Sequence, residues 1–513
     1  MLLRVLFVSP IILLPILVQA QGNRLLPLND YAYEYIVRLQ RRGHLLELNP
    51  TSLPYRRGDV WDALSRLDTT ALNSSEQHWT TLLRRKLKPV DKPEAKTTVG
   101  YTFMAATDII NSDRKDLVRP LGESVNFYWY GTWATGYLEA GPAVAELSLQ
   151  HNRFYENDPD GLDATLRLWA RSEHSYVGWH SRWVSAYAGR WDIHWSAPGD
   201  ASTIVSNNAR SRDQILLRIG SPRASITAVL SELDSATDGR YYTGRAADDS
   251  VTFGSTRRFH AAHRWDYRPS KKFVVSFMES AIYSGPTAGI SLKYLNPVNP
   301  FTFVVDNAPK NDDNNGFLAG LLWAQFKRLT LQGQFMVDDI RLQANTGPET
   351  ITFVLTGSAT YALPRADLRL TLETVTSRAY NAPQTEGQYI FLNRGLATQF
   401  SDYVHTSLSA EFYMDHKVRG LRFGPRLDML LQGERDMRQP FPGNSETVSN
   451  LLDGDVEQTI RGSIGLTYQP KHWWWIAADG GYNVTDSGSN RLVGLISAGV
   501  ILTLDTAIDL WSQ

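Results

Sequence analysis

The chain has 513 residues, 42% of them hydrophobic and 20% charged, a balance that excludes a wholly disordered protein. Its formal net charge of -1 excludes the basic surplus that a nucleic-acid partner requires. Cysteine is absent, which excludes a disulfide framework and a lipid-anchored N-terminal cysteine. The 15 Trp and 23 Tyr suit membrane–water interfaces, sugar-binding surfaces or ordinary cores.

Residues 1–20 are expected to be a signal peptide. Arg4 supplies a basic start, Val5 to Val18 an apolar run, and Val18-Gln19-Ala20 a cleavage pattern. Pro10 and Pro15 interrupt that run and argue against a retained membrane helix. After residue 20 no stretch approaches the ~18 consecutive apolar residues of such a helix. The exported chain is therefore expected to be soluble, peripheral or a barrel.

Residues 21–96 are expected to form a small periplasmic helical segment and a linker. Asn29 and Asp30 are good N-caps for a helix over Tyr31 to Arg42, and Gly43 suits its left-handed end. A second helix is predicted from Asp59 to Leu67. A third follows Ser74, which with Gln77 resembles a capping box. Trp79, Leu82, Leu83 and Leu87 share its inner face. Arg84, Arg85, Lys86 and Lys88 crowd its end, as a solvated face or as a contact for lipid or polysaccharide. Pro89 to Lys96 reads as the linker.

From Val99 the apolar period becomes two, and residues 97–513 are expected to form an outer-membrane β-barrel. Leu329, Leu331, Phe335 and Val337 alternate with Thr330, Gln332 and Gln334. Leu368, Leu370 and Leu372 alternate with Arg369, Thr371 and Glu373, and Ile460, Ile464 and Leu466 with Arg461, Ser463 and Thr467. Such strands suit a barrel with lipid on one face and a wet lumen on the other.

Tight connections such as Lys327-Arg328, Pro364-Arg365-Ala366 and Gln469-Pro470-Lys471 alternate with long ones, Ser284 to Asn314, Arg341 to Glu349, Arg378 to Ser401 and Gly433 to Gly454. Short periplasmic turns and long external loops predict an even number of antiparallel strands, about 18. Glu279 shares parity with Phe273, Val275 and Phe277. A carboxylate facing lipid is costly, so a bulge or a position beyond the membrane is expected there. Trp473-Trp474-Trp475 reads as part of the periplasmic aromatic girdle.

Catalytic signatures are absent: no His-Glu-x-x-His, no Gly-x-Ser-x-Gly, no phosphate-cradling glycine loop. His260 and His263 fall on opposite faces of a strand, a poor arrangement for one metal. Asn311 to Asn315 offer oxygen ligands but lack calcium-loop spacing. No enzyme activity, metal or cofactor is expected. The informative loop runs from Trp191 to Asn208. Trp191 and Trp195 offer ring faces to sugar C–H groups, and Asp192, His194, Asn207 and Asn208 offer hydrogen bonds to hydroxyls. This loop is either a carbohydrate platform or a packed plug folded into the lumen.

Gly189-Arg190 with Trp195-Ser196-Ala197-Pro198-Gly199, then Ser206-Asn207-Asn208-Ala209, resembles the Trp-Gly-Pro-Gly loop of the Wzi-type capsule assembly family of outer-membrane proteins. His263-Arg264-Trp265 with Glu279 to Tyr283, Asn299-Pro300-Phe301, Leu331 to Phe335, and Asp338-Asp339 continue the resemblance, as do Tyr35-Ile36 and Arg42-Gly43. Ser196-Ala197 departs from it by standing where the family has Gly-Pro. The resemblance implies a barrel of about 18 strands, a periplasmic helical bundle, and a lectin that holds capsular polysaccharide, with no catalysis. Implied partners are capsular or extracellular polysaccharide, outer-membrane lipid and, as a further candidate, the polysaccharide export machinery. A transport channel and a barrel-embedded hydrolase are the competing functions.

Overall fold

The computed structural model describes residues 22–89, 97–151, 171–235, 257–285, 288–301, 313–338, 352–382, 385–438 and 451–508. The expected signal peptide, most of the linker, much of the long connections, Asn311, Asp312 and the last five residues lie outside the described residues.

Eighteen strands form one antiparallel sheet. The first, Thr97–Ile110, pairs with the second, Asn126–Ala140, and also with the last, Arg491–Ile508, so the sheet closes on itself. Connections at one end are short, such as 141–142, 327–328 and 472–473, and those at the other include 111–125, 192–211 and 376–402. Among the described residues no helix is long and apolar enough to cross a membrane.

Burial along the strands is inverted relative to a water-soluble sheet. Leu331, Phe335, Leu368, Leu370, Leu372, Ile460, Ile464 and Leu466 are exposed on the outside, while Thr330, Gln332, Gln334 and Arg461 are buried inside. An outward band of apolar side chains around a polar interior is the signature of an outer-membrane barrel. Several strands exceed the ~9–11 residues that cross a bilayer. Asn126–Ala140 has 15, so the wall projects past the lipid.

Among the described residues three helices precede the barrel: α1 (Ala32–Arg41), α2 (Arg57–Ser65) and α3 (Ser74–Leu87). Gly43 ends the first with a φ of 87°. The capping box of α3 sits one residue earlier than the sequence suggests. Asn73 accepts from the Ser75 and Glu76 amides, and Glu76 accepts from the Asn73 amide. Arg84 and Lys86 turn back into the bundle rather than outward. Arg84 donates to the Leu64 carbonyl at 2.7 Å, and Lys86 pairs with Asp30 at 2.9 Å.

The bundle is fastened to the short-turn end of the barrel. Tyr413, at the end of the strand Tyr403–Tyr413, belongs to the bundle's apolar core and meets the Trp79 ring edge-on at 4.8 Å. Around it Arg38 pairs with Glu411 at 2.9 Å and Arg42 with Asp367 at 2.6 Å. Segment 44–54 enters the lumen. Arg264 donates to the Thr51 hydroxyl at 2.6 Å, and Arg268 to the Leu46 carbonyl at 2.8 Å.

Trp79→Ala should cost the bundle about 3–5 kcal/mol, the usual effect of truncating a buried Trp. Limited proteolysis in detergent should then cut within residues 21–96 while the heat-modifiable mobility of the barrel persists. Unchanged protection of the bundle would contradict the packing described.

Candidate functional site: a half-plugged lumen

Loop 192–211 leaves the long-connection end of the barrel and descends into the lumen. Its polar backbone finds partners on the inner wall. Gln332 accepts from the Ala197 amide at 3.0 Å, and Gln334 accepts from the Thr203 amide at 3.1 Å and donates to the Trp195 carbonyl at 3.0 Å. The turn at Gly199, with a φ of 82°, reaches Arg369, which takes the Gly199 carbonyl at 2.7 Å and pairs with Asp200. His194 exchanges two backbone hydrogen bonds with Leu53 of the N-terminal segment. Two insertions from opposite ends of the barrel therefore meet inside it.

Connection 376–402 also folds inward. Tyr380 donates to the Thr203 carbonyl at 2.7 Å and Tyr389 to the Ile204 carbonyl at 2.8 Å. Asn208 donates to the Gly395 carbonyl at 2.8 Å. Trp191, Ile193, Trp195, Ile204, Val205, Tyr380, Tyr389 and Leu396 form one apolar core. This plug fills the side walled by the strands from Val184–Trp191 to Ala366–Val375.

Each residue singled out in the sequence has a definite place. Trp191 and Trp195 are each 1% exposed. Trp191 packs among Tyr176 and Tyr187, and Arg264 lies over the Trp195 ring at 5.8 Å. Rings so enclosed have no free face for a sugar, so of the two readings the lumenal plug holds for both tryptophans. Their apolar faces serve packing.

Asp192 and His194 line chambers beside the plug. Burial, helped by the charge of Glu173, pushes the Asp192 carboxyl up to about 7. Burial pushes the His194 imidazole down to about 4. Asn207 is exposed within the lumen, and Asn208 is partly so.

The opposite side, walled by the strands near the two ends of the sheet's sequence, is hollow. Toward the long connections lies a chamber of about 590 Å³. Connection 111–125 supplies Arg114, Asp116 and Arg119. The wall supplies Tyr403, His405, Arg426, Asp428, Arg461 and Asp479. Arg119 pairs with Asp116 at 2.9 Å, donates to Gln432 at 3.0 Å, and lies 4.6 Å from the centroids of both Phe400 and Tyr403. Burial works against the Asp116 charge, but Arg119 holds its carboxyl below the usual range. One terminal nitrogen of Arg119 has no hydrogen-bond partner among the described residues. Across the cavity Arg426 and His405 share Asp428 at 2.7 and 3.0 Å, and Arg461 pairs with Asp479 at 2.6 Å.

A second chamber of about 990 Å³ lies toward the helical bundle. Asn207, Arg426 and Asp479 line both chambers, so the two adjoin there. Trp475 faces this inner space, which corrects its assignment to the outer aromatic girdle; Trp473 is exposed. Trp473 lies in the turn before the strand, and Ile476, next to Trp475, is exposed on the opposite face as strand alternation requires.

A cavity of this size, with guanidinium, carboxylate and amide groups on its walls, can hydrogen-bond the hydroxyls or carboxylates of one or two sugar units. The described residues hold no cluster of three or more His, Asp or Glu suited to a metal. Asn315, from the oxygen-rich stretch weighed for calcium, instead donates to the Gly387 carbonyl. Arg119 and Phe400 were not legible in the sequence, because the inward folding of a connection has no periodic signal. Arg461 was legible as an inward side chain from its alternation with Ile460 and Ile464.

No protein-family model matches the sequence, and no curated protein does. Among solved structures, the chain is similar to Wzi of Escherichia coli, an outer-membrane protein involved in group 1 capsule assembly and described as a carbohydrate-binding β-barrel. The two are 12% identical with a TM-score of 0.58 over 95% of this chain and 100% of that one. This chain shares the Wzi fold. It also matches OccAB4 of Acinetobacter baumannii at 9% identity, covering 80% of this chain and 99% of that one, with a TM-score of 0.43. OprD of Pseudomonas aeruginosa matches at 10% identity over 81% and 95%, also at 0.43. Scores that low bear on neither function nor detail.

The raised Asp192 carboxyl makes a pH prediction. Its ordinary value is 3.8 and its folded value about 7, so the folded state holds the proton more tightly. That contribution to stability is complete below the ordinary value and is lost as pH rises through about 7. The urea midpoint in detergent should fall over this window in the native protein and fall less in Asp192→Asn. Equal slopes for the two would remove Asp192 as the cause.

Proposed function

We propose that this protein is an outer-membrane lectin, exported by its N-terminal signal, that retains a capsular or extracellular polysaccharide at the cell surface without enzymatic action. The observation that carries the reading is the chamber at the long-connection end. Arg119, Asn207, Arg426 and Asp479 line it together. Guanidinium forks and amides are suited to sugar carboxylates and hydroxyls. The shared fold with Wzi, which is itself carbohydrate-binding, supports it. Long connections facing outward would admit a chain end or branch of the polymer. The export machinery would then deliver polymer to that face.

Arg119→Ala combined with Asn207→Ala should lower polysaccharide retention by about tenfold or more, since one hydrogen bond to a charged group contributes about 1.5–3 kcal/mol. The amount of heat-modifiable barrel should not change. Binding to an array of bacterial polysaccharides measures both the loss and the sugar. Native retention in the double variant would reject this chamber as the site.

A second reading, a narrow channel, is favoured by the adjoining chambers. Conductance in a planar bilayer separates the two. Large steady openings by the native protein would make it a channel, and silence would leave the lectin. Release of reducing ends from the polysaccharide would point instead to a hydrolase.

A further inference from the structure

Alternation along the strand Phe273–Gly285 puts Glu279 on the outer wall, where lipid is expected. The sequence suggests a bulge or a position beyond the bilayer. The structure shows no bulge: pairing runs through Glu279 without interruption on both sides, opposite His263 and Leu318. Glu279 is instead covered. Segment 288–301, part of the following long connection, folds back over the outer wall. Tyr294 stacks on Tyr283 at 4.1 Å and 7°, and the Phe301 ring lies 4.0 Å from that of His263. Glu279 accepts from the Phe301 amide at 2.8 Å and meets His263 at 2.9 Å, while the other nitrogen of His263 lies 3.0 Å from the Tyr294 carbonyl. Tyr283 donates to the Gly289 carbonyl at 2.9 Å.

The segment covers a polar pair yet turns apolar side chains away from the barrel. Ile290 is 66% exposed, Leu292 78% and Val298 71%. Directly below its latch, toward the helical bundle, the outward positions are Phe277 and then Val275, both exposed, with Leu322 beside Val275. These belong to the apolar band of the barrel. The segment thus continues that band by one step at its outer edge. Its single helical turn, α4 (Leu292–Leu295), satisfies backbone groups internally, with the Leu295 amide on Ser291 and the Asn296 amide on Leu292. The turn thereby leaves fewer backbone groups to be met by solvent or lipid.

We propose that segment 288–301 is an outer-leaflet foot, which places Ile290, Leu292 and Val298 among the lipid acyl chains at the upper edge of the barrel. Lipid is the occupant that the continuity with the apolar band selects. The inference rests on the barrel spanning the membrane and says nothing about what the lumen binds.

The chain has no cysteine, so single sites can be labelled without background. Leu292→Cys and Val298→Cys in the full-length protein, spin-labelled and reconstituted in phospholipid vesicles, would be compared with Phe277→Cys in the band and Leu451→Cys in an exposed connection. The expected result is high access to oxygen and low access to a water-soluble nickel complex at both test sites. Their oxygen-to-nickel ratio should lie several-fold above that of Leu451→Cys and close to that of Phe277→Cys. Test sites that behave like Leu451→Cys, while Phe277→Cys reads as lipid-exposed, overturn the foot alone. An aqueous signal at Phe277→Cys overturns the membrane barrel and the foot with it. Spin–spin broadening at residue 292 that dilution with unlabelled protein removes would show a second copy on the segment and overturn lipid as its occupant.

Discussion

Closure of the sheet is the constraint on which everything else depends. Lipid offers no hydrogen-bond partner, so an open sheet edge inside a bilayer would leave a row of unsatisfied amides and carbonyls. Pairing of Thr97–Ile110 with Arg491–Ile508 removes both edges at once. Closure also fixes which parity of each strand faces lipid. The apolar set then turns outward, and the polar set is enclosed.

Enclosure creates a second requirement. The wall of so wide a barrel cannot fill its own interior, and its inward Gln, Arg and Asp side chains need partners. The chain answers with insertions from both ends: loop 192–211 and connection 376–402 from one, segment 44–54 from the other. Arginine does much of the joining, because one planar guanidinium can serve several carbonyls. Arg268 takes backbone carbonyls of the N-terminal segment, and Arg258 takes those of Glu386, Gln388 and Ile390. The insertions do not fill the lumen evenly. The chambers lie beside the plug, and their chemistry is that of the wall, connection 111–125, the plug's own margin at Asn207 and Phe400, and, toward the bundle, the N-terminal segment.

The same rule read from outside explains Glu279. A carboxyl group on the outer wall is accommodated here because the neighbouring strand brings it a histidine, and a connection an amide and aromatic cover. The local violation of alternation thus accompanies an added layer of structure, as expected where a sequence pattern breaks at a specialised place.

The barrel was legible in the sequence because alternation is a local property that lipid on one side and water on the other impose on every strand. Leu368, Leu370 and Leu372 face outward as their spacing demands, and the short and long connections fall at opposite ends. The three helices were legible from caps and spacing, to within a residue or two at each end. What only the tertiary structure decided is where the connections go. Trp191 and Trp195 look like a sugar platform in sequence, since aromatic rings flanked by Asp, His and Asn suit a binding surface and a packed core alike. They are buried because loop 192–211 descends to meet Gln332, Gln334 and Leu53, partners distant in the chain. Arg119 and Asn207 come to one chamber, and Tyr294 to the outer wall, for the same reason: a loop's path is set by the surfaces it reaches, and its own residues carry no periodic record of them.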